Sequence, residues 1–352
     1  NMKKAFYLFV KTLISTGLFF YTKKIKVTGQ KNIPKKGAIL FMANHPNGLV
    51  DPLIIASSIK RKTHFLVRAG VFNKPTIAKI FGWLGMMPIY RIRDGVKQLS
   101  KNEAIFTQCE NLLKNEKAIL IFPEGSHNRK RTIRPLSKGF TRILFRTLEK
   151  YKDAEIQIIP IGMTYQNASF YPTKVAVNFG TPILANSFYN TDKINESIKQ
   201  LKEQVSNQLQ ELSVHISDDE NYETKLKKIN DSQIDFTEVE KVNWMVKKNT
   251  FLDKKKPKRE LKLLKFLVIL NSIFPFLIWK KVSKKIPEIE FVDTFKFGLN
   301  LVLIPLFYGL QTLMVSYFFG NKIGLIYFLI SLALVLIYTK LSPSNTEVNK
   351  QV

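Results

Sequence analysis

Cysteine is almost absent from this sequence. Cys109 is the only one in 352 residues, so the chain can form no internal disulfide and offers no thiolate cluster for zinc or an iron–sulfur centre. We therefore expect the folded part of the chain to face a reducing compartment, with Cys109 as an inert residue of a helix.

Acidic residues are scarce as well. The chain has 27 Asp and Glu against 55 Lys and Arg, which gives a formal net charge of +28. This balance favours an anionic partner, either a nucleic acid, an acidic lipid surface or a polyanionic substrate. The basic residues are spread along the chain and form no recognised nucleic-acid motif, so we expect no nucleic acid among the partners.

Two common catalytic patterns are also missing. The four histidines include no metal-spaced pair such as HExxH, and no serine stands at a nucleophile elbow. We therefore predict no metal site and no covalent serine intermediate. Gly and Pro are few while Lys, Asn, Ile and Phe are abundant, a composition that favours an AT-rich bacterial source.

Long apolar runs are what the sequence does have. Three lie near the C-terminus: Leu263–Trp279, Phe297–Phe319 and Lys322–Tyr338. A helix needs about 20 mostly apolar residues to cross a bilayer, a length that the second and third runs meet and the first approaches. We predict two or three membrane spans, with buried core helices as the alternative.

The residues that flank the apolar runs predict an orientation. Lys254–Arg259 is a basic cluster just before the first run, and such clusters mark the cytoplasmic side of a span. We expect the part upstream to face the cytoplasm, at a bacterial inner membrane. At the other end, Ala5–Tyr21 is apolar and followed by lysines, which suits a helix lying in the membrane interface; a short span and a core helix are alternatives.

Between these ends, strand-like and helical patterns alternate. Strands are predicted at AILFM (38–42), HFLVR (64–68), MMPIY (86–90), AILIF (118–122), IQIIPIG (156–162) and KVAVNF (174–179). Helices are predicted at Asp51–Ser58, Pro75–Leu84, Val96–Lys114, Lys138–Lys150 and Asp192–Val214. The alternation predicts an α/β fold, with a mixed sheet flanked by helices.

The expected organisation has five parts. They are an N-terminal membrane-associated helix (2–30), an α/β domain (31–216), a charged linker (217–260), a hydrophobic membrane region (261–340) and a polar tail (341–352). The linker is assigned because residues 217–248 are polar and charged.

Four short motifs lie at or near the ends of predicted strands. The residues are His45 and Asp51, Arg91 and Arg93, the segment Pro123–Arg129, and Pro160. Because the carboxyl ends of parallel strands meet at one crevice, we expect these motifs to form one site.

His45 and Asp51 are the candidate catalytic pair. A carboxylate bonded to one imidazole nitrogen fixes the tautomer and makes the other nitrogen a better base, able to take a proton from an alcohol. Gly48 permits the tight turn that brings the two together. We predict that His45 is a general base and Asp51 its orienting partner.

Basic residues follow the third motif. Glu124 comes directly after a strand, where it suits a hydrogen-bonding role, and four cations follow it: Arg129, Lys130, Arg131 and Arg134. Guanidinium groups bind phosphate oxygens in pairs, so the run predicts a site for a phosphate monoester or for the phosphates of coenzyme A. A solvated loop is the alternative.

The four motifs together resemble a known family. "NHPNGLVDP", "GMMPIYR", "FPEGSHNR" and "IIPIG", in that order, are similar to the four blocks of the glycerolipid acyltransferases, the PlsC-type glycerol-phosphate and lysophosphatidate acyltransferases. The blocks cover about residues 36–162, less than half of the chain.

The resemblance implies roles for individual residues. His45 and Asp51 correspond to the catalytic dyad, and Pro160 to a residue shaping the donor or acyl groove. The expected substrate-binding residues are Asn47, Arg91, Glu124, Gly125, Ser126, Arg129 and Lys138. Arg91 in particular corresponds to the contact with the phosphate of the acyl acceptor.

The chain also departs from the family pattern. Five residues separate His45 from Asp51 where four are usual, and Ser126-His127 stands where Thr-Arg is common. The second change moves the expected phosphate contact to Arg129 or Arg131. The C-terminal membrane segments are absent from the simplest family members.

The resemblance implies a membrane-bound O-acyltransferase of phospholipid biosynthesis. The expected donor is acyl-CoA or acyl carrier protein, the acceptor is lysophosphatidate or glycerol-3-phosphate, membrane lipids are partners, and no cofactor is needed. Two alternatives remain, an acyltransferase acting on a non-glycerol lipid and a non-catalytic lipid-binding or scaffold protein.

Overall fold

The computed structural model describes residues 2–90, 95–168, 170–286, 288 and 291–346, without the side chains of Val96 and Leu99. The helices are α1 (Met2–Tyr21), α2 (Val50–Ser58), α3 (Pro75–Trp83), α4 (Asn102–Lys114), α5 (Gly139–Lys150), α6 (Ile194–Leu212), α7 (Tyr222–Asp231), α8 (Val239–Lys248), α9 (Lys262–Asn271), α10 (Ile273–Ser283), α11 (Val292–Phe319) and α12 (Asn321–Leu341). The strands are β1 (Lys24–Thr28), β2 (Ala38–Ala43), β3 (Thr63–Arg68), β4 (Met86–Ile89), β5 (Ala118–Ile121), β6 (Ile156–Tyr165), β7 (Lys174–Phe179) and β8 (Ile183–Leu184).

The strands of the described residues form one mixed sheet in the order β1-β7-β6-β2-β5-β3-β4, with β8 beside β6. Strands β6, β2, β5, β3 and β4 are parallel, whereas β7 and β8 run antiparallel to β6. The predicted α/β class and the six predicted strands are confirmed. The sequence analysis missed β1, because its alternating lysines were interpreted as the flank of a membrane helix; lysines also suit an edge strand.

Helices cover both faces of the sheet, and strand β2 contributes side chains to the core on each face. Its residues are all buried, and successive side chains point to opposite faces. Leu40 and Met42 pack with α4, α5 and α6 on one face. Ile39 and Phe41 pack with α1 and α2 on the other. Strand β2 is therefore central, and the turn that follows it begins at a fully buried strand end.

The predicted charged linker is wrong for residues 217–248. This segment forms α7 and α8, which enclose a small apolar core together with residues of the strand region. The members of this core on the two helices and their connection are Tyr222, Ile229, Ile234, Phe236, Val239, Val242 and Met245. These apolar residues are widely spaced among charged residues, so the polar composition of the segment gave no sign of a core.

The C-terminal region contains apolar helices. Among the described residues, α11 and α12 are the two helices long and apolar enough to cross a membrane by themselves. Helices α9 and α10 reach that standard only as a pair, and they are bent by 96° at Ser272. The first predicted apolar run therefore forms two helices with a sharp bend, and it counts as a third candidate span only if the bent pair is taken as one. Of the predicted polar tail, residues 347–352 lie outside the described part.

Helix α1 joins the two regions. Its last turn is buried through Leu18 and Tyr21, whereas Phe9 and Phe19 on its length remain exposed. It packs against α2 of the α/β domain and against α11 and α12. The expected membrane association of α1 stays a prediction.

Candidate active site

The site is built on the turn between β2 and α2. Strand β2 ends at Ala43, Gly48 adopts a positive φ of 34°, and Asp51 lies in the first turn of α2. His45 Nδ1 and Asp51 Oδ2 are 2.8 Å apart. The Asp51 side chain is completely buried, whereas the His45 side chain keeps 16% of its surface exposed.

Two further donors hold Asp51. The Asn47 backbone N–H donates to Oδ2 over 2.7 Å, and the Tyr165 hydroxyl donates to Oδ1 over 2.6 Å. Hydrogen bonds of this kind compensate a carboxylate for the loss of water. Burial, together with the Asp51 charge, raises the pKa of Tyr165 well above its usual value, so its hydroxyl stays protonated as a donor.

This geometry assigns the tautomer of His45. An ionised carboxylate is an acceptor only, so Nδ1 carries the proton that is donated to Asp51. The other nitrogen, Nε2, is then left with a lone pair for an external proton. The expected catalytic pair is brought together as the turn predicted.

Sequence reasoning missed Tyr165. The residue is at the carboxyl end of β6, which lies parallel to β2 in the sheet, so its hydroxyl reaches the same edge as His45. The signal was available in the parallel-strand rule, but the predicted strand ended at Gly162, three residues too early.

The third motif packs directly on His45. The His45 ring stacks on Phe122, with centroids 3.9 Å apart and planes 16° apart. The His45 carbonyl accepts a hydrogen bond of 2.8 Å from the Asn128 amide. The loop after β5 therefore supports the imidazole from one side.

Glu124 and Ser126 fix this loop internally. Arg134 Nε donates to Glu124 Oε2 over 2.8 Å, and another guanidinium nitrogen donates to Ser126 Oγ over 3.1 Å. The Glu124 side chain is only 4% exposed. Gly125 takes a φ of 78° and donates its amide to the Phe122 carbonyl. These three residues, expected to bind substrate, shape the loop here.

The basic run divides into separate roles. Arg131 donates to the carbonyls of Tyr165 and Gln166 and stacks on Phe236, and Lys130 pairs with Asp218 over 2.7 Å. Arg129 lines a groove next to His45. Arg131 lines the same groove, so the expected phosphate contact at Arg129 or Arg131 stays a prediction, with the Arg131 guanidinium already bonded to two backbone carbonyls.

That groove, the polar groove, has a volume of about 560 Å³, including space open to solvent. Its lining includes Asn44, Pro46, Arg129, Lys130, Thr164, Tyr165 and Tyr222. It therefore combines the basic run and helix α7 with the turn of residues 44–50, called the catalytic turn after the expected catalytic pair that it holds.

A second depression, the apolar groove, lies on the other side of the turn and encloses about 550 Å³. It is lined by residues of α1, α2 and the far strands, including Val10, Ile14, Leu49, Leu53, Ala56, Phe65 and Met86. Leu49 belongs to the catalytic turn itself, so this groove also reaches the site.

Three other expected site residues, Asn47, Pro160 and Lys138, are not among the lining residues of either groove. Asn47 is completely buried, and its amide donates to Asp293 Oδ2 over 3.0 Å, so it supports the turn from inside. Pro160 is buried within β6 opposite Met42 and lines neither groove. Lys138 is exposed at the start of α5. Arg91 and Arg93 lie outside the described residues.

The described residues offer neither a metal site nor a reactive cysteine. No group of three or more His, Cys, Asp or Glu side chains in the described residues is arranged to hold a metal ion. Burial raises the pKa of the Cys109 thiol to about 12, so this thiol is inert, as its place in α4 suggested.

The comparison with known proteins points to one family. Residues 24–164 match the family model described as Acyltransferase. "Glycerol-3-phosphate O-acyltransferase 1" of Saccharomyces cerevisiae is 20% identical over 312 residues, which cover 63% of this chain and 41% of that protein. A "1-acyl-sn-glycerol-3-phosphate acyltransferase" of Borreliella burgdorferi is 24% identical over 177 residues, which cover 50% of this chain and 65% of that protein.

A solved structure is also similar. The 1-acyl-sn-glycerophosphate (LPA) acyltransferase PlsC from Thermotoga maritima shares 18% identity, with a TM-score of 0.41, over 60% of this chain and 83% of that chain. The chain spans 41% and 65% of the two curated relatives named above. The segment that matches the family model contains His45, Asp51, Glu124 and Pro160.

Proposed function

We propose that this protein is a membrane-bound O-acyltransferase that moves a fatty acyl group from acyl-CoA or acyl carrier protein to lysophosphatidate or glycerol-3-phosphate. The observation that carries the proposal is the His45–Asp51 pair, held within hydrogen-bond distance inside an acyltransferase-family domain. The two curated relatives are named for glycerol-3-phosphate and for 1-acylglycerol-3-phosphate, two acceptors that share a phosphate monoester.

The reaction uses His45 as a general base. Nε2 takes the proton of the acceptor hydroxyl while its oxygen attacks the thioester carbonyl, and Asp51 stabilises the imidazolium that forms. Collapse of the tetrahedral intermediate breaks the carbon–sulfur bond. The imidazolium then returns its proton to the departing thiolate, so the products are an ester and a free thiol.

The two grooves suit the two parts of the substrates. The apolar groove offers a dry wall for an acyl chain, since burial of each CH₂ contributes about 0.8 kcal/mol. The polar groove places Arg129 beside the catalytic turn, where its guanidinium suits the acceptor phosphate or the phosphates of coenzyme A.

The membrane helices suit a product that stays in the bilayer. Helices α11 and α12 provide the anchor, and anionic lipids attract the basic surface of the chain. We place the protein at a bacterial inner membrane with the catalytic domain facing the cytoplasm, on the support of the Lys254–Arg259 cluster next to α9.

The test is acyl transfer by the purified full-length protein. Acyl-CoA and acyl carrier protein are each paired with glycerol-3-phosphate, with lysophosphatidate and with a lipid alcohol lacking phosphate. We expect one phosphorylated acceptor to be used, and His45→Ala to reduce the rate at least 10³-fold. His64→Ala, at a histidine bonded to the Ala118 carbonyl away from the turn, is the matched control.

Three results would contradict the proposal. Transfer only to the phosphate-free lipid would favour the alternative acceptor class. Full activity of His45→Ala would remove the general base. Inactivity with every pair, together with binding to lipid vesicles, would favour the non-catalytic alternative.

A further inference from the structure

The first turn of α11 lies on the catalytic turn. Asp293 accepts a hydrogen bond of 3.0 Å from the Asn47 side-chain amide and one of 2.5 Å from the Tyr21 hydroxyl. The next residue, Thr294, accepts a hydrogen bond of 3.0 Å from the Leu49 backbone amide. Asp293 and Thr294 are separated from the turn by about 245 residues of sequence, yet both contact it.

The Thr294 contact serves the helix that carries Asp51. The first N–H groups of a helix have no partner within it and are usually satisfied by a capping side chain. The N-cap residue of α2 is Leu49, which has no side-chain oxygen and makes no such bond. The Thr294 hydroxyl supplies an acceptor from outside, at the Leu49 amide.

The Asp293 contact leads to the dyad in two steps. Asp293 fixes the Asn47 side chain, and the Asn47 backbone N–H donates to Asp51 Oδ2, the oxygen that also bonds His45 Nδ1. The turn holds five residues between His45 and Asp51 and a glycine with positive φ. A turn of this length gains definition from contacts at its middle residues, 47 and 49.

A buried carboxylate is costly unless it is matched by donors and charge. Asp293 is only 3% exposed, and Lys296 and Arg129 are the positive groups that act on it. Close packing of α11 on α1 holds it in place: the rings of Phe297 and Tyr21 meet at 5.3 Å, and a side chain at Gly17 would collide with Leu301.

We propose that Asp293 and Thr294 are positioning residues for acyl transfer. Through them, helix α11 holds the His45–Asp51 turn in its productive geometry. The dyad is therefore competent only when α11 is seated on the α/β domain. This inference rests on the proposed function, and it assigns a part in the reaction to a helix outside the matched family segment, residues 24–164.

Steady-state kinetics of the full-length protein tests the proposal. We expect Asp293→Ala to lower kcat about 10- to 100-fold, because small displacements of a catalytic pair have effects of this size, and Thr294→Val to lower it less. KM for both substrates should stay within about twofold of wild type, since neither residue touches substrate. Asp293→Asn keeps the shape and one acceptor oxygen, so its kcat should lie between those of wild type and Asp293→Ala.

The matched control is Tyr308→Phe. Tyr308 lies on α11, roughly 22 Å further along the axis than Asp293 at 1.5 Å per residue, and the change removes its buried hydrogen bond to Ser272 at the bend between α9 and α10. Its kcat should equal that of wild type. An equal loss in Tyr308→Phe, an unchanged kcat in Asp293→Ala, or a raised KM at constant kcat would overturn the proposal.

Hydrogen exchange measured by mass spectrometry gives a readout that needs no activity. The amides of Asn47 and Leu49 should exchange faster in Asp293→Ala and Thr294→Val, and at the wild-type rate in Tyr308→Phe. Unchanged protection of residues 44–51 would overturn the inference even if no acyl acceptor is found. Inactive wild-type protein that still shows the protection change would instead count against the proposed function alone.

Discussion

The two grooves beside the catalytic turn differ in the polarity of their linings, although each includes residues of that turn. The apolar groove is walled by α1, α2 and strands β3 and β4, whereas the polar groove is walled by the basic run and α7. Residues 44 and 46 face the polar groove and residue 49 faces the apolar one. A single turn thus lies between an apolar groove and a cationic one, an arrangement that suits the proposed reaction of a fatty acyl chain with an anionic acceptor.

Among changes in the two grooves, the largest effect is expected at Arg129 in the polar groove. Arg129→Ala should raise KM for a phosphorylated acceptor about 10- to 100-fold, because a charge-assisted hydrogen bond contributes about 1.5–3 kcal/mol. Arg129→Lys should recover part of this loss. Initial rates at varied acceptor concentration provide the measurement.

The control for that change is Lys227→Ala, which removes an exposed ion pair with Asp231 outside the lining of the polar groove and should leave KM within twofold of wild type. A KM effect of Arg129→Ala on the acyl donor alone would assign the polar groove to coenzyme A phosphates. No effect on either substrate would separate this groove from the reaction.

A smaller effect is expected in the apolar groove. Ala56→Phe adds a ring to a wall of this groove, so we expect the rate with long-chain donors to fall about tenfold while short-chain donors are spared. A difference of this size needs roughly 1.4 kcal/mol. Competition between two donors of different chain length measures the ratio directly.

The acceptor KM is the internal control for Ala56→Phe. An unchanged KM with an altered chain preference would sharpen the division between the grooves. An unaltered preference would show that the acyl chain lies elsewhere.

The smallest expected effect is a pH dependence of folding stability that arises from His215, beside the polar groove. His215 Nδ1 accepts a hydrogen bond from the Ile133 amide, next to the polar groove, and burial lowers the pKa of His215. The unfolded chain therefore binds this proton at a higher pH than the folded chain does. The stabilisation is present above the unfolded pKa, about 6.5, and is lost as pH falls below it.

Thermal unfolding of the full-length protein between pH 8 and pH 5 measures this dependence. His215→Gln cannot become charged. It should be less stable than wild type at pH 8, but its melting temperature should fall less steeply as pH drops below about 6.5, which is a flatter acid limb of the stability curve. Identical acid limbs in the two proteins would assign the dependence to other groups.

The apolar helices of the C-terminal region were predictable from composition, but the angles between them were not. The apolar runs at residues 297–319 and 322–338 were sufficient to predict α11 and α12. The bend of 96° between α9 and α10 was not, because a run of apolar residues indicates length and not direction. Ser272, at the bend, bonds Tyr308 of α11, a contact that the local pattern does not reveal.

The α/β class, the long apolar helices and the pairing of His45 with Asp51 could be predicted from the sequence, because they depend on short-range patterns of hydrophobicity and on residues six positions apart. Only the tertiary structure decided which residues support the pair. Tyr165 and Asp293 reach the turn across 114 and 246 positions of sequence, and Asn47, Glu124 and Ser126 proved to be internal supports of their loops. A side chain's role depends on which partners the fold brings to it, and local pattern carries no information about partners so distant in the chain.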